Sequence, residues 1–235
     1  METYLESGEA GPIEKENLVE FHLLYQGPLH SQRAENVRNE KHQIRKALHR
    51  QLKRLWQTNP NLQRAAKTRG DVEHTEHFAR TGGTGSSPPI TENEKFQWGV
   101  EYLAKTWERN GFHFLPLVTP DMFLRCSLEI LFLRMEERDY VLQGGDIDGR
   151  IHVLFDGLRM FRDGNDLPSR NATPDPDEKP FFCLLQDDTL VSDVKIDTGG
   201  LLLLPNQEQA NKHDVYLQIT VRLNPTQPNT WSWVF

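Results

Sequence analysis

Residues 144–158 read GGDIDGRIHVLFDGL. Two acids, Asp146 and Asp148, follow the glycine pair one residue apart. Apolar side chains then recur at the spacing of an amphipathic helix, at Ile151, Leu154, Phe155 and Leu158. We predict a helix with Asp148 as its N-cap. Positions 148, 152 and 156 are four residues apart, so they form one stripe away from the apolar face of that helix.

A second acidic pair, Asp187 and Asp188, stands just before a run that predicts a strand. Carboxylates that are brought together repel one another unless a cation lies between them. A set made of carboxylates, with no Cys/His group, favours Mg²⁺ or Mn²⁺ over Zn²⁺. Taken by itself, Asp-x-Asp is more often a capped turn on a solvated surface, and that alternative stays open.

In their order along the chain, these features resemble the RusA-like Holliday-junction resolvases. The shared pattern is Asp-x-Asp, an apolar helix with Asp-x-Leu eight residues later, and an Asp pair before a strand. A looser resemblance covers residues 18–58, 126–160 and 181–224. The resemblance implies that Asp146, Asp148 and Asp188 bind magnesium, with Asp156 and Asp187 as accompanying acids and Asp187 as an alternate ligand.

The chain departs from the family pattern at three places. Gly149 stands where the family has Asn, and His152 stands where it has a catalytically important Lys. Residues 159–186 form a long insertion where the family has a short link. The lost lysine bears most on activity, because it places a fixed cation near the scissile phosphate. Arg150, His152 or Lys195 are the candidates for part of that charge, and we count His152 with the catalytic set.

Composition is that of a soluble globular chain of 235 residues, 37% hydrophobic and 26% charged. No run of 18 apolar residues occurs, so we expect no membrane span. The acidic N-terminus lacks the apolar core of a signal peptide. Cys126 and Cys183 both lie in apolar runs, which predicts buried thiols and a reducing cytoplasm.

Positive charge is concentrated in one segment although the net charge of the chain is −7. Between Arg33 and Arg69 there are eleven Lys and Arg but two acids, which is a net charge of +9. Such a stripe is the expected footprint of a phosphate backbone, although a basic helix is often just a solvated face. The predicted contacts are Arg38, Lys41, Arg45, Lys46, Arg50, Lys53 and Arg54, together with Arg150.

Apolar spacing assigns the elements. A strand is predicted at 18–25 and a long basic helix at 35–57. The stripe of that helix is Ile44, Leu48, Leu52, Leu55 and Trp56, while His42 and His49 are expected on its surface. Residues 59–91 are predicted to be a polar loop with a linker at 81–89. A second helix is predicted at 92–110, capped by Gly111.

The second half of the chain supplies the remaining strands. The run 126–135 predicts a central strand, apolar on both faces for much of its length. A strand pair is expected at 190–196 and 200–204, and strict alternation predicts a last strand at 215–223. Prolines and glycines in 162–180 indicate a mobile surface loop beside the acids.

We therefore predict an α+β fold with a small sheet, helices packed on one side of it and an inserted helical segment. Residues 1–16 are expected to be disordered or loosely attached. Residues 17–224 would form a single RusA-like domain with insertions at about 59–115 and 159–180. The aromatic tail 225–235 would tuck onto its own core or onto a dimer mate.

The function that these features predict is metal-dependent hydrolysis of phosphodiesters in branched or double-stranded DNA, as in DNA recombination and repair. The resemblance also implies a homodimer, which suits the near-two-fold symmetry of a junction. The alternative is a non-catalytic RusA-like module that binds nucleic acid or protein. The replaced lysine, the long insertions and the acidic overall charge motivate it.

Overall fold

The computed structural model describes residues 20–32, 35–134, 147–169, 171–201 and 213–227, and within them the chain is a mixed α and β protein, as predicted. The helices are α1 (Val37–Thr58), α2 (Pro60–Arg80), α3 (Glu92–Lys105) and α4 (Ile147–Leu158). The strands are β1 (Glu20–Pro28), β2 (Glu108–Arg109), β3 (Phe112–Val118), β4 (Leu124–Arg134), β5 (Phe181–Leu185), β6 (Val191–Gly200) and β7 (Asp214–Pro225). Three single 3-10 turns are Gly164–Asp166, Pro176–Glu178 and Asp188–Leu190. The predictions for residues 1–16 and for the tail beyond residue 227 lie outside the described residues.

The main sheet has the strand order β1-β7-β4-β6. β7 pairs antiparallel with both of its neighbours, and β6 pairs in parallel with β4. The predicted alternation of the last strand is confirmed, since Val215, Leu217, Ile219, Val221 and Leu223 are all buried. β4 is an interior strand, as predicted, but only one of its faces is buried. β6 runs on to Gly200 beside β4, so the predicted break after residue 196 is wrong.

Helices cover one face of this sheet. The predicted stripe of α1 is confirmed, with its longest side chains wholly buried against β1, β5 and α4. Among the described residues, the opposite face of the sheet is exposed and carries charged side chains together with the exposed Leu24 and Leu131. Its charged side chains form an ionic row, in which Lys195 pairs with Glu129 at 2.8 Å and Arg222 pairs with Glu20 at 2.6 Å. The predicted one-sided layering is therefore correct for the described residues.

A second, three-stranded sheet has the order β2-β3-β5 and was not predicted from the sequence. β3 reads FHFLPLV and β5 reads FFCLL, short apolar runs without alternation that periodicity cannot assign. Their phenylalanines form an aromatic cluster with the chain that follows α4. Its buried rings are Phe112, Phe114, Phe161 and Phe181.

The predicted end of the second helix is wrong, because α3 stops at Lys105. Asn110 and Gly111 instead form the two-residue turn between β2 and β3, with φ angles of +52° and +82°. Both residues have positive φ, which is the requirement of a type I′ hairpin and the reason why Asn-Gly is favoured there. Gly111 is therefore a hairpin residue and not a helix cap.

The predicted polar loop at 59–91 is also wrong for most of its length, since residues 60–80 form α2. Asn59 caps this helix by accepting hydrogen bonds from the N–H groups of Asn61 and Leu62, and Pro60 suits the first helical turn. α2 lacks an apolar stripe because it packs on α3 through its backbone. A Cβ added at Gly70 would lie 1.7 Å from the carbonyl oxygen of Lys95.

The cysteines are buried, and the described helices are too polar or too short to cross a membrane. Cys126 and Cys183 are free and buried, as predicted, and burial raises the pKa of Cys126 to about 12. Within the residues described, none of the helices is long and apolar enough to cross a membrane.

The α2–α3 contact predicts the effect of Gly99→Ala. A Cβ at Gly99 would lie 1.8 Å from the backbone oxygen of Ala66, which cannot rotate away. We expect the variant to lower the free energy of unfolding by about 1–3 kcal/mol in urea titration. Without a clash, alanine in place of glycine inside a helix stabilises the protein by up to about 1 kcal/mol. A loss of stability in Gly99→Ala would therefore indicate the close approach of the two helices. Gly200→Ala, with open space around the added carbon, is the control. Equal stability of the two variants would contradict the close approach.

Candidate functional site

The later acidic pair lies on the turn that follows β5. Asp187 caps the turn Asp188–Leu190, because its Oδ1 accepts hydrogen bonds from the N–H and the hydroxyl of Thr189, at 3.1 and 2.7 Å. Burial works to raise the pKa of Asp187, but the Thr189 hydrogen bonds and the Arg162 charge outweigh it and hold that pKa below its ordinary value. Asp187 is thus engaged in shaping the turn from which the half-exposed Asp188 projects.

The helix of the Asp-x-Asp stretch lies next to this turn. α4 begins at Ile147, so Asp148 lies in its first turn rather than at the predicted N-cap. Asp148 is exposed, and His152 is exposed one helical turn further on. α4 packs against the turn Asp188–Leu190, so the carboxylates of Asp148 and Asp188 belong to two elements in contact.

The donor chemistry at this place suits a hard divalent cation, since Asp148, Asp187 and Asp188 all offer carboxylate oxygens. Asp146, the first of the predicted ligands, lies outside the described residues. Among the residues that are described, no group of three His, Cys, Asp or Glu side chains is arranged to hold a metal ion. The geometry therefore places two of the four predicted ligands on one turn and a third on the adjoining helix.

The predicted stripe at 148, 152 and 156 is wrong at its last position. Asp156 is mostly buried, and its Oδ2 lies 2.6 Å from the ammonium of Lys41. Its Oδ1 accepts hydrogen bonds from Arg159. Burial works to raise the pKa of Asp156, but these two cations outweigh it and hold the pKa low. Asp156 therefore stabilises the contact between α1 and α4.

A cation that the sequence did not indicate meets the acidic pair. Nη2 of Arg162 donates to Oδ1 of Asp188 at 2.7 Å, and its Nε lies 3.5 Å from Oδ2 of Asp187. The register between the chain after α4 and the end of β5 brings Arg162 to Asp188, since Arg159 and Leu185 form a parallel bridge. Three residues further on in each segment, Arg162 comes beside Asp188. No local pattern could have found this pair, because the two residues are 26 positions apart.

Arg162 also lines a small cavity beside the pair. The cavity has a volume of about 210 Å³, and the side chains that carry chemistry in it are Arg109, Arg162, Gln186 and Asp187. Arg109 comes from β2, in the sheet that the sequence did not predict. Neither arginine was among the predicted site residues.

The middle of the basic helix is neutralised by the chain itself. Lys46 lies 2.7 Å from Asp175 and 3.1 Å from Glu178, and Lys53 lies 2.6 Å from Asp177. The hydrogen bond with Asp175 is the main cause that raises the pKa of Lys46. Residues 175–178, which we call the acidic strap, are therefore anchored on α1. The prediction of a mobile surface loop is wrong for this part of 162–180.

Other residues of α1 predicted on its surface are buried. Arg45 is 1% exposed, with Nε 2.9 Å from the carbonyl oxygen of Arg159, so its predicted contact with phosphate is wrong. His42 and His49 are buried as well. Nδ1 of His49 accepts a hydrogen bond from the backbone N–H of Phe182 at 2.9 Å, and burial lowers the His49 pKa.

Three of the predicted cations of α1 remain exposed: Arg38, Arg50 and Arg54. In the described part of the chain, no carboxylate lies within ion-pair distance of them. Arg54 lines a groove of about 350 Å³ between α1, α2 and α3, together with Gln57, Gln63 and Gln97. Lys67 and Glu92 also line it and pair with each other at 3.5 Å. Cations and amides of this kind are the groups that contact phosphates and base edges in nucleic-acid interfaces.

The three candidates for the missing lysine charge, Arg150, Lys195 and His152, differ in exposure and in position. Arg150 is buried, at 8% exposure, which does not fit the predicted contact with nucleic acid. Lys195 lies on the open face of the main sheet, away from α4, and pairs with Glu129 and Asp197 at 2.8 Å each. His152 is exposed and lies on α4 itself, one helical turn after Asp148.

Comparison of the chain with models of protein families, with curated proteins and with solved structures finds no match. The RusA-like resemblance therefore rests on the residues of this chain alone.

The burial of His42 predicts a pH dependence of stability. Its pKa is lowered to about 4, chiefly by burial, from the ordinary value of 6.5. The unfolded chain then takes up a proton at higher pH than the folded chain. The free energy of unfolding should be largest above about pH 6.5 and should fall through pH 4, by on the order of 2–3 kcal/mol.

Urea titrations at several pH values between 7 and 4 measure this effect. His42→Gln should lose less stability over that window than the parent, whereas the exposed His22→Gln should follow the parent. His49, whose pKa is also lowered, keeps its own share in both variants. An unchanged pH slope in His42→Gln would show that the buried imidazole does not cause the loss.

Proposed function

We propose that the protein is a metal-dependent endonuclease that hydrolyses phosphodiesters in branched DNA, as the resemblance to RusA-like resolvases implies. The observation that carries the proposal is the meeting of α4, which bears Asp148, with the turn that bears Asp187 and Asp188. Two elements in contact therefore carry carboxylates, and Arg162 pairs with those of Asp187 and Asp188. Substrate phosphates require this combination of metal ligands and fixed positive charge.

Asp146, Asp148 and Asp188 would hold Mg²⁺ or Mn²⁺, with Asp187 as the residue that fixes the turn. When bound, such an ion polarises a phosphate and lowers the pKa of an attacking water. Asp187 keeps the Asp188 carboxylate in place through its bonds to Thr189. His152, on the same side of α4 as Asp148, can donate a hydrogen bond to a non-bridging phosphate oxygen.

The surface that would bind DNA is narrower than the sequence predicted. Lys41, Lys46 and Lys53 are paired with the chain's own acids, and Arg45 is buried. The exposed Arg38, Arg50 and Arg54 remain, and the last of these lies at the groove lined by Gln57, Gln63 and Gln97, where Lys67 is paired with Glu92. We propose that a duplex arm lies along the second half of α1 and this groove. A homodimer would present two such sites to a junction, in a cytoplasmic setting of recombination or repair.

Asp148→Asn and Asp188→Asn are expected to reduce Mn²⁺-dependent cleavage of a synthetic four-way junction by about 100-fold or more. Loss of a metal ligand should exceed the 10–100-fold that removal of its outer hydrogen-bond partners costs. Asp193→Asn, an exposed acid on β6, is the matched control. Full cleavage by the Asp188→Asn variant would remove the proposed site, whatever the origin of the activity.

DNA binding should depend on the exposed cations and not on the paired ones. In a cleavage-deficient Asp148→Asn background, the double change Arg50→Ala and Arg54→Ala should flatten the slope of log affinity against log salt by about 0.9 for each lost phosphate contact. The double change Lys46→Ala and Lys53→Ala should leave that slope unchanged. Fluorescence anisotropy on a labelled junction at several salt concentrations measures both, and the reverse ranking would place the DNA on the middle of α1.

The alternative is a non-catalytic module that binds nucleic acid or protein. One observation favours it: Arg162 already neutralises Asp188, and the acidic strap already neutralises the middle of α1. Junction binding without any metal-dependent cleavage, in a parent whose binding is lost with Arg50 and Arg54, would support this function instead.

A further inference from the structure

We propose that Arg162 exchanges between two partners, the Asp187–Asp188 carboxylates and a phosphate held in the adjoining cavity with Arg109. This inference deepens the proposed function and rests on it. In the state described, the arginine occupies the carboxylates. A divalent cation at Asp188 would release the guanidinium to the cavity, where it would bind a phosphate group.

The volume of the cavity is sufficient for a phosphate group. Its volume is about 210 Å³, below the range of about 300–1,000 Å³ that small-molecule pockets occupy. Water takes roughly 30 Å³ per molecule, so there is room for a tetrahedral group and a few waters. The ligand that this space suits is one phosphate of a chain or a free orthophosphate.

The charge and donors of the cavity fit an anion. Two arginines, Arg109 and Arg162, line the cavity, and Asp187 is the one acidic residue among its lining residues. Nη1 of Arg109 donates to the carbonyl oxygen of Glu108 at 2.7 Å. Its other donors make no hydrogen bond within the described residues. A guanidinium presents a planar fork that matches phosphate oxygens, so two of them can hold one phosphate from two sides.

Arg162 can exchange partners because its main chain is fixed while its paired guanidinium is exposed to solvent. Its backbone N–H donates to Oδ2 of Asp166 at 2.8 Å, which anchors the main chain. Its side chain is 53% exposed, so the ion pair with Asp188 is a solvent-screened one. Such pairs contribute little to stability, so a charge-assisted contact with a phosphate can replace this one at little cost.

In this exchange the metal ion and Arg162 compete for Asp188. Binding of the metal ion therefore strengthens binding of phosphate, and binding of phosphate strengthens binding of the metal ion. Arg162→Ala should therefore bind Mn²⁺ more tightly, by about two- to five-fold, the strength of an exposed ion pair. The same variant should bind orthophosphate about ten-fold more weakly in the presence of Mn²⁺, because a charge-assisted contact is lost. A purely structural role would not move the two affinities in opposite directions.

Calorimetric titrations with Mn²⁺, and with orthophosphate at saturating Mn²⁺, measure both affinities. Arg109→Ala should weaken orthophosphate and leave Mn²⁺ unchanged, because Arg109 makes no contact with Asp188. Arg125→Ala, an exposed arginine on β4, should change neither. Thermal midpoints equal to that of Arg125→Ala confirm that the variants fold.

The outcomes separate this inference from the proposed function. If Arg162→Ala binds Mn²⁺ equally well or more weakly, or binds orthophosphate as the parent does, the exchange is overturned even when the parent cleaves junctions. If Arg162→Ala shifts the two affinities in opposite directions but the parent protein cleaves no DNA, the exchange is supported and the proposed hydrolysis is overturned. A parent that binds no Mn²⁺ overturns both.

Discussion

A single buried guanidinium connects the parts of this fold. Arg45 reaches from α1 to the end of α4, where Nη2 and Nε donate to the carbonyl oxygens of Asp156 and Arg159. The carbonyl of Asp156 belongs to the last turn of α4 and that of Arg159 directly follows the helix, so the cation satisfies both and opposes the helix dipole. Burial lowers the pKa of Arg45 to about 10, so it stays charged at neutral pH. Its guanidinium also lies 4.6 Å from the centre of the Phe161 ring, which ties the aromatic cluster to the same point.

Charge on α1 thus serves mainly to hold the fold together. Lys41, Lys46 and Lys53 each pair with an acid more than a hundred positions later in the chain, on α4 or on the acidic strap. The Lys41–Asp156 pair is mostly buried and is costly to break, because the partner would be left as an uncompensated charge. The pairs of Lys46 and Lys53 have exposed carboxylates and each contributes little by itself. The net charge of +9 in this segment is therefore a poor guide to the free surface, since the neutralising acids follow far along the sequence.

The elements that the sequence predicted well are those whose apolar pattern is complete in itself. The alternation in β7 and the stripe of α1 have the periods of a strand and a helix, and both were found. α2 was missed because Gly70 and Gly99 let the two helix backbones meet, so no apolar stripe is needed. β3 and β5 were missed because they are buried on both faces. The acids of the candidate site were visible as pairs in the sequence, whereas Arg109 and Arg162 reach it through pairings that no local pattern encodes.

The contacts that hold the end of α4 in the core also fix the position of Arg162 at the candidate site. Arg45 binds the carbonyl of Arg159, and the next residue, Met160, donates its N–H to the carbonyl oxygen of Leu185 at 3.0 Å. That bond fixes the parallel register between the chain after α4 and the end of β5. A shift of one residue in such a register turns each side chain to the other face, so Arg162 would no longer lie beside Asp188. The position of the cation at the acidic pair is therefore set by a helix-end contact in the core and not by the loop that carries it.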